Sequence, residues 1–156
     1  MSTKDELNIG SAAPDFTLED DQGITRSLKD YRGRKIVLYF YPRDNTPGCT
    51  REACDFRDSY ETITQCGAEI LGVSTDTISS HKNFKSKYNL TFPLLSDPSA
   101  KVSTLYGVYK MKNRYGKTFM GIERSTFVID DAGNISKIFR SVKVDNHSGD
   151  VLESLK

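Results

Sequence analysis

Ile36-Val37-Leu38-Tyr39-Phe40-Tyr41, followed at once by Pro42-Arg43-Asp44-Asn45-Thr46-Pro47-Gly48-Cys49, is the stretch on which the fold turns. An unbroken run of β-branched, aliphatic and aromatic residues predicts a strand buried on both faces, because a half-exposed strand would alternate polar with apolar. Pro42, which cannot donate to a sheet ladder, ends it. Downstream, Thr50 to Gln65 has helical spacing and closes at Gly67, a residue suited to a left-handed C-terminal cap, and Glu69 to Ser74 reads as a second strand. The result is a β-α-β unit. Further on, Ser79 to Tyr88 reads as a helix, Phe92 to Leu95 as a short strand and Ser99 to Tyr106 as a helix. Ser125 to Asp130 and Ile135 to Phe139 read as strands joined by the turn Asp131-Ala132-Gly133-Asn134. Upstream, Thr17 to Ile24 is a polar stretch turning at Asp21-Gln22-Gly23. Strands interleaved with helices predict an α/β sheet covered by helices, in one domain over 1–156. Lys110 to Lys117, with Lys110, Lys112, Arg114 and Lys117, reads as a solvated loop.

Composition narrows the classes of function. A chain of 156 residues, 37% hydrophobic and 10% aromatic, has the size of one globular domain. A net charge of +1, from 22 basic and 21 acidic residues, supplies no general field for nucleic acid or an anionic membrane. The longest apolar run, Ile36 to Tyr41, is too short to cross a bilayer. Met1 to Leu7 is polar where an export signal needs an apolar stretch, which leads to the expectation of a cytoplasmic protein. Lys4-Asp5-Glu6-Leu7 spells a retention signal that is read only at a C-terminus. In a reducing compartment, a disulfide among the three cysteines is more often a catalytic intermediate than a staple.

The turn after the buried strand is where reactive groups gather in open α/β sheets. Thr46 suits the N-cap and Pro47 the first helical position, which puts Cys49 in the first turn, where unpaired amides and the helix dipole favour an anion. Such surroundings lower a thiol pKa from about 8.5 to roughly 3.5–7.5, so Cys49 is expected to be acidified. From Cys49, helical spacing gives Ala53, Phe56, Tyr60 and Ile63, an apolar face that packs on the sheet. Cys54 lies about 140° further round, with Arg57, Asp58, Glu61 and Gln65 on the polar face, within a partner's reach. Five helical residues separate two Cα atoms by roughly 8–9 Å. A disulfide needs less than about 7 Å, so these cysteines bond only if the first turns unwind.

Pro42-Arg-Asp-Asn-Thr46-Pro-Gly-Cys49-Thr-Arg-Glu52-Ala-Cys54 resembles the active-site signature of the peroxiredoxins, and the second cysteine five residues on resembles their bacterioferritin-comigratory (PrxQ) branch. The resemblance extends from Gly10-Ser-Ala-Ala-Pro14-Asp-Phe through Leu71-Gly-Val-Ser-Thr-Asp76, Ser80-His-Lys-Asn-Phe84 and Phe92-Pro-Leu-Leu-Ser-Asp97 to Gly121-Ile-Glu-Arg124-Ser-Thr-Phe127. It implies a thioredoxin-like fold, a central mixed β-sheet flanked by α-helices, and hydroperoxide reduction without a cofactor. It further implies recycling by thioredoxin or a similar dithiol protein, and a monomer or weak dimer. Carried onto this chain, it makes Cys49 the peroxidatic cysteine, Cys54 the resolving one, Thr46 a hydrogen-bonding partner of thiolate and peroxide, and Arg124 the activating guanidinium. Pro42 would shield the thiolate.

Glu52, one turn from Cys49, should raise the thiol pKa unless a cation takes up its charge. The spacing suggests that it pairs with Arg124, with Arg43 and Arg51 as competitors whose charges otherwise face solvent. Tyr109 stands where a tryptophan is frequent in the family. Cys66, at the helix end, reads as a structural thiol, with an intermolecular or alternative disulfide as the other reading, and His81 and His147 read as surface or capping residues. Two rivals use similar thiols. A general disulfide oxidoreductase usually has two residues between its cysteines and here there are four, while a peroxide-sensing relay would pass its disulfide to a partner. A metal-binding module would need ligands at metal-site spacing, which three cysteines and two distant histidines do not supply.

Overall fold

The structure is a computed structural model that describes residues 7–156, so the segment read above for export and retention signals lies, but for Leu7, outside the described residues. The run Ile36 to Tyr41 forms the heart of the sheet. Strand β3 (Lys35–Phe40) sends Ile36, Leu38 and Phe40 to one face and Val37, Tyr39 and Tyr41 to the other, and none is more than 1% exposed. Both faces are covered, which is why the sequence shows no alternation.

Around it are β1 (Thr17–Asp20), β2 (Thr25–Ser27), β4 (Ala68–Ser74), β5 (Leu94–Ser96), β8 (Ser125–Ile129) and β9 (Ile135–Phe139), in the order β2-β1-β5-β4-β3-β8-β9. The centre is parallel, with Ile36 opposite Glu69 and Phe40 opposite Val73. Both flanks are antiparallel, β3 to β8 on one side and β5 to β1 on the other. The sheet is therefore mixed. Helices α1 (Pro47–Gln65), α2 (Ile78–Tyr88) and α4 (His147–Ser154) cover one face, where Phe56, Phe84 and Val151 join Val37, Tyr39 and Ile70 in one core. Helix α3 (Lys101–Leu105) covers the other through Val102, beside Leu38, Phe40 and Phe127. Burying a ring such as Phe56 completely contributes roughly 1.5–3 kcal/mol. Gly72 on β4 makes room for the site's floor, since a Cβ there would lie 3.0 Å from Tyr39 and Leu94.

Two expectations are corrected, and one element is new. Lys110 to Lys117 is not a loop but part of a hairpin, β6 (Tyr109–Arg114) paired with β7 (Lys117–Ile122) as a separate two-stranded sheet. Its turn residues, Tyr115 and Gly116, have φ of 54° and 77°, the backbone that two-residue hairpins require. His81 and His147 are not surface residues, being 0% and 4% exposed. Helix α4 was not anticipated at all.

Candidate active site

Helix α1 begins where the chain leaves the buried strand. Thr46 occupies the N-cap and Pro47 the first helical position, but the Thr46 hydroxyl donates to the Arg43 carbonyl at 2.9 Å instead of accepting from a helix amide. Cys49 is therefore the third helical residue, and it is buried, 2% exposed. Ala53, Phe56 and Ile63 continue its face into the core, with Tyr60 partly buried at the edge. Cys54 is partly exposed, Cys66 packs at the core margin, and all three thiols are free.

Arg124, in the link between β7 and β8, joins the site's charges. One guanidinium nitrogen, Nη2, donates to Cys49 Sγ at 3.3 Å, and the other, Nη1, to Glu52 Oε1 at 2.6 Å. Gly48 lets it approach, since a Cβ there would lie 3.2 Å from Nη2. Arg51 turns away to Asp145 at 2.5 Å, and Arg43 is exposed. Glu52 is 1% exposed and its second oxygen, Oε2, has no hydrogen-bond partner among the described residues. Burial outweighs Arg124 and pushes the Glu52 carboxyl up to about 7. Facing Oε2 at 4.0 Å is Nε2 of His147, which shares a 2.8 Å hydrogen bond with Thr126 Oγ1. Burial drives the His147 imidazole down to about 4, so it is neutral at physiological pH. Tyr39 lies beneath, its hydroxyl unpartnered among the described residues and its pKa raised by burial, with Glu52 and then Cys49 as its strongest charged neighbours.

A cavity of about 400 Å³ opens beside Arg124, walled by Pro42, Met111 and Val142 and rimmed by Lys112. The Lys112 ammonium donates to the Ile122 carbonyl, and burial, Arg124 and Arg114 lower its pKa. This arrangement offers a shielded sulfur, a guanidinium aimed at it and an approach of mixed character, with Lys110, Glu123 and Ser141 beside the apolar walls. It suits stabilising an anion at sulfur and at an oxygen displaced beside it.

Sequence reasoning brought Cys49, Arg124, Glu52 and Pro42 to one place, and it read Thr46 correctly as the helix start but not in its bond. It missed Asp44, Tyr39, Lys112 and both histidines. A signal existed for the histidines: His81 shares helical spacing with Phe84 and Tyr88, and His147 with Val151 and Leu155. Among the described residues, Asp44, Asp76 and His81 form the one cluster at metal-ligand spacing.

The AhpC/TSA family matches residues 9–138 of this chain. Peroxiredoxin Bcp of Bacillus subtilis (strain 168) is 51% identical over 150 residues, 96% of either chain. Chloroplastic peroxiredoxin Q of Oryza sativa subsp. japonica is 47% identical over 97% of this chain and 68% of its own. Among solved structures, the Xanthomonas campestris bacterioferritin comigratory protein, studied for alkyl peroxide reduction, is 41% identical with a TM-score of 0.88, covering 96% of this chain and 95% of that one. A PrxQ mutant from Xylella fastidiosa superposes with a TM-score of 0.91 at 38% identity, covering 96% of each chain. With the sulfur-guanidinium geometry and the mixed sheet already in place, these likenesses decide the matter: the chain belongs to the AhpC/TSA family, as a peroxiredoxin of the Bcp/PrxQ branch.

Proposed function

We propose that Cys49 is the peroxidatic cysteine of a thioredoxin-dependent, two-cysteine peroxidase and that Cys54 resolves it. The observation that carries this reading is the fork of Arg124, which joins the buried Cys49 sulfur to Glu52. The Cys49 thiolate attacks the nearer peroxide oxygen, a sulfur–oxygen bond forms and the oxygen–oxygen bond breaks. Sulfur is oxidised by two electrons to a sulfenic acid, and the displaced alkoxide or hydroxide takes up a proton to leave as alcohol or water. Arg124 stabilises charge on the sulfur and the departing oxygen, Thr46 supplies a hydroxyl at the mouth, Pro42 shields the sulfur, and Glu52 holds the guanidinium in place.

Resolution requires motion. Both cysteines lie on the continuous helix α1, where five residues hold their Cα atoms roughly 8–9 Å apart. The first turns unwind and the Cys54 thiolate attacks the Cys49 sulfenic acid: the sulfur–sulfur bond forms, the sulfur–oxygen bond breaks, and the departing hydroxide takes up a proton to leave as water. A thioredoxin-type dithiol then reduces the disulfide by exchange. Such a reductant works in a reducing compartment, and we place the protein in the cytoplasm as a monomer or weak dimer.

Peroxide consumption with thioredoxin tests the assignment. Cys49→Ser should give no turnover, Cys54→Ser one stoichiometric turnover or a slower alternative route, and Cys66→Ser near-normal cycling. Sustained turnover by Cys49→Ser would overturn the reading.

A further inference from the structure

Asp44 lies in the turn that carries Cys49, yet its side chain is 3% exposed, and His81 on α2 is wholly buried against it. Tyr41, at the end of the central strand, donates to Asp44 Oδ1 at 2.5 Å, and Ser80 donates to Oδ2 at 2.8 Å. His81 Nδ1 lies 2.7 Å from the same Oδ2, and His81 Nε2 lies 3.0 Å from the Leu95 carbonyl. The backbone amide of Asp44 donates to Asp76 Oδ2 at 2.8 Å, which also accepts from the Ser74 hydroxyl at 2.6 Å. Asn45, next in the turn, has φ of 60° and accepts from Tyr88 at 3.2 Å and Lys87 at 3.4 Å. The Cys49 turn is thus tied to α2 and to the ends of β3, β4 and β5.

These contacts fix a proton count. A carbonyl only accepts, so His81 Nε2 carries hydrogen. The short contact from Nδ1 to a carboxyl oxygen needs a proton as well, either on Nδ1 with Asp44 ionised or on Asp44 with His81 neutral. In both cases the pair holds one proton more than a neutral histidine and a carboxylate. If it is lost, facing lone pairs replace a hydrogen bond at one end of the imidazole or the other. The ligand atoms of Asp44, Asp76 and His81 lie within 4.8 Å of one another, but the carboxylate oxygens are already engaged by the Asp44 amide, Ser74, Ser80 and His81.

We propose that the Asp44–His81 pair is a protonated latch that keeps the Cys49 turn folded, with His81 as a positioning residue, and that loss of the shared proton frees the turn so that Cys54 reaches oxidised Cys49. The second half rests on the resolving role assigned to Cys54 above. The groups facing the pair are the Tyr41 hydroxyl from β3, the Ser80 hydroxyl from α2, the Leu95 carbonyl from β5 and, on the Asp44 amide, Asp76 beyond β4. Among the described residues, Asp44 forms its ion pair with His81 alone.

Two variants separate the proton from the packing. In Asp44→Asn, the amide donates to Nδ1 of a neutral His81 while Nε2 keeps the Leu95 carbonyl and Tyr41 keeps the amide oxygen, so the latch closes without an extra proton. In His81→Phe a ring remains but both hydrogen bonds are gone. The measurement is hydrogen-exchange protection of amides 49–53 in the reduced full chain, corrected for intrinsic exchange. Between about pH 6 and about pH 8.5 the wild type should lose roughly 10–100-fold of its protection, as expected for one buried hydrogen bond replaced by an unmade contact. Asp44→Asn should stay protected at both values and His81→Phe at neither. Wild type and Asp44→Asn both keep Cys49 and its helix, so the comparison between them isolates the Asp44–His81 pair. Equal pH dependence in those two proteins would overturn the latch, and so would wild-type protection in His81→Phe. If His81→Phe does not fold, the first comparison decides alone. Stopped-flow formation of the disulfide, run in parallel, addresses Cys54 separately: a wild type that forms none refutes the resolving assignment, while the exchange result still decides the latch.

Discussion

Arg124 donates to two partners from one planar group, to Cys49 at 3.3 Å and to Glu52 at 2.6 Å, so its geometry matters as much as its charge. Arg124→Lys keeps the charge but loses the fork, because an ammonium cannot hold both directions at once. Loss of one preorganised donor lowers rates by about 10²–10³. That fall is expected in the second-order rate of peroxide reduction by stopped flow, and an Arg124→Lys enzyme at wild-type rate would show that charge alone suffices. Gly48 offers a finer probe. Its φ is not positive, and the atom its Cβ would meet, 3.2 Å away, is the end of the Arg124 side chain, so Gly48→Ala displaces the guanidinium and not the helix. Stability should hold or rise by up to about 1 kcal/mol, since alanine favours a helix over glycine, while the peroxide rate falls. A parallel loss of both in thermal unfolding and kinetics would mean that the backbone was disturbed instead.

Helix α1 carries the conflict between holding Cys49 and releasing it. Pro47–Gln65 is one unbroken helix in the reduced protein, and closing the proposed disulfide must unwind at least about one turn. Circular dichroism should therefore show less helix in the peroxide-treated protein than in the reduced one, in a Cys66→Ser background that excludes other disulfides. Unchanged helicity alongside a mass-confirmed Cys49–Cys54 bond would contradict that geometry. Elements buried on both faces, such as β3 and β4, and the long helix α1 were legible because burial writes a continuous or 3.6-residue pattern. The hairpin of β6 and β7 was not, since its Lys110, Arg114 and Lys117 are exposed, Lys112 is only half-buried, and nothing in their order separates a solvated strand from a loop. Helix α4, only eight residues from His147, lacks a stripe long enough to declare itself. Asp44 and His81 were illegible for a different reason: each reads as polar surface until a partner 37 positions away is known.

Across the whole molecule, helices α1 and α4 meet at Glu52 and His147, and their two displaced pKa values act on stability in opposite directions. Glu52 rises from 4.5 to about 7 on folding, so between those values the native state binds more protons than the unfolded state and stability falls as pH rises. His147 drops from 6.5 to about 4, so between those values the unfolded state binds more protons and stability rises with pH. At about 1.4 kcal/mol per pKa unit, each effect amounts to about 3 kcal/mol, and from about pH 4.5 to 6.5 they largely cancel. Replacing one partner exposes the other. Glu52→Gln, which cannot ionise, should grow more stable as pH climbs through this window. The wild-type stability minus that of the variant should fall by about 3 kcal/mol from pH 4.5 to 7, a difference from which the remaining carboxylates drop out. His147→Asn should show the reverse, a stability that declines from about pH 4.5 to 7. Urea unfolding midpoints at half-unit pH intervals would measure both, and curves for wild type and Glu52→Gln that stay parallel throughout would mean that Glu52 folds without its proton. Because the two groups stand 4.0 Å apart, the double variant should depart from the sum of the singles, which ties the C-terminal helix energetically to the floor of the peroxide site.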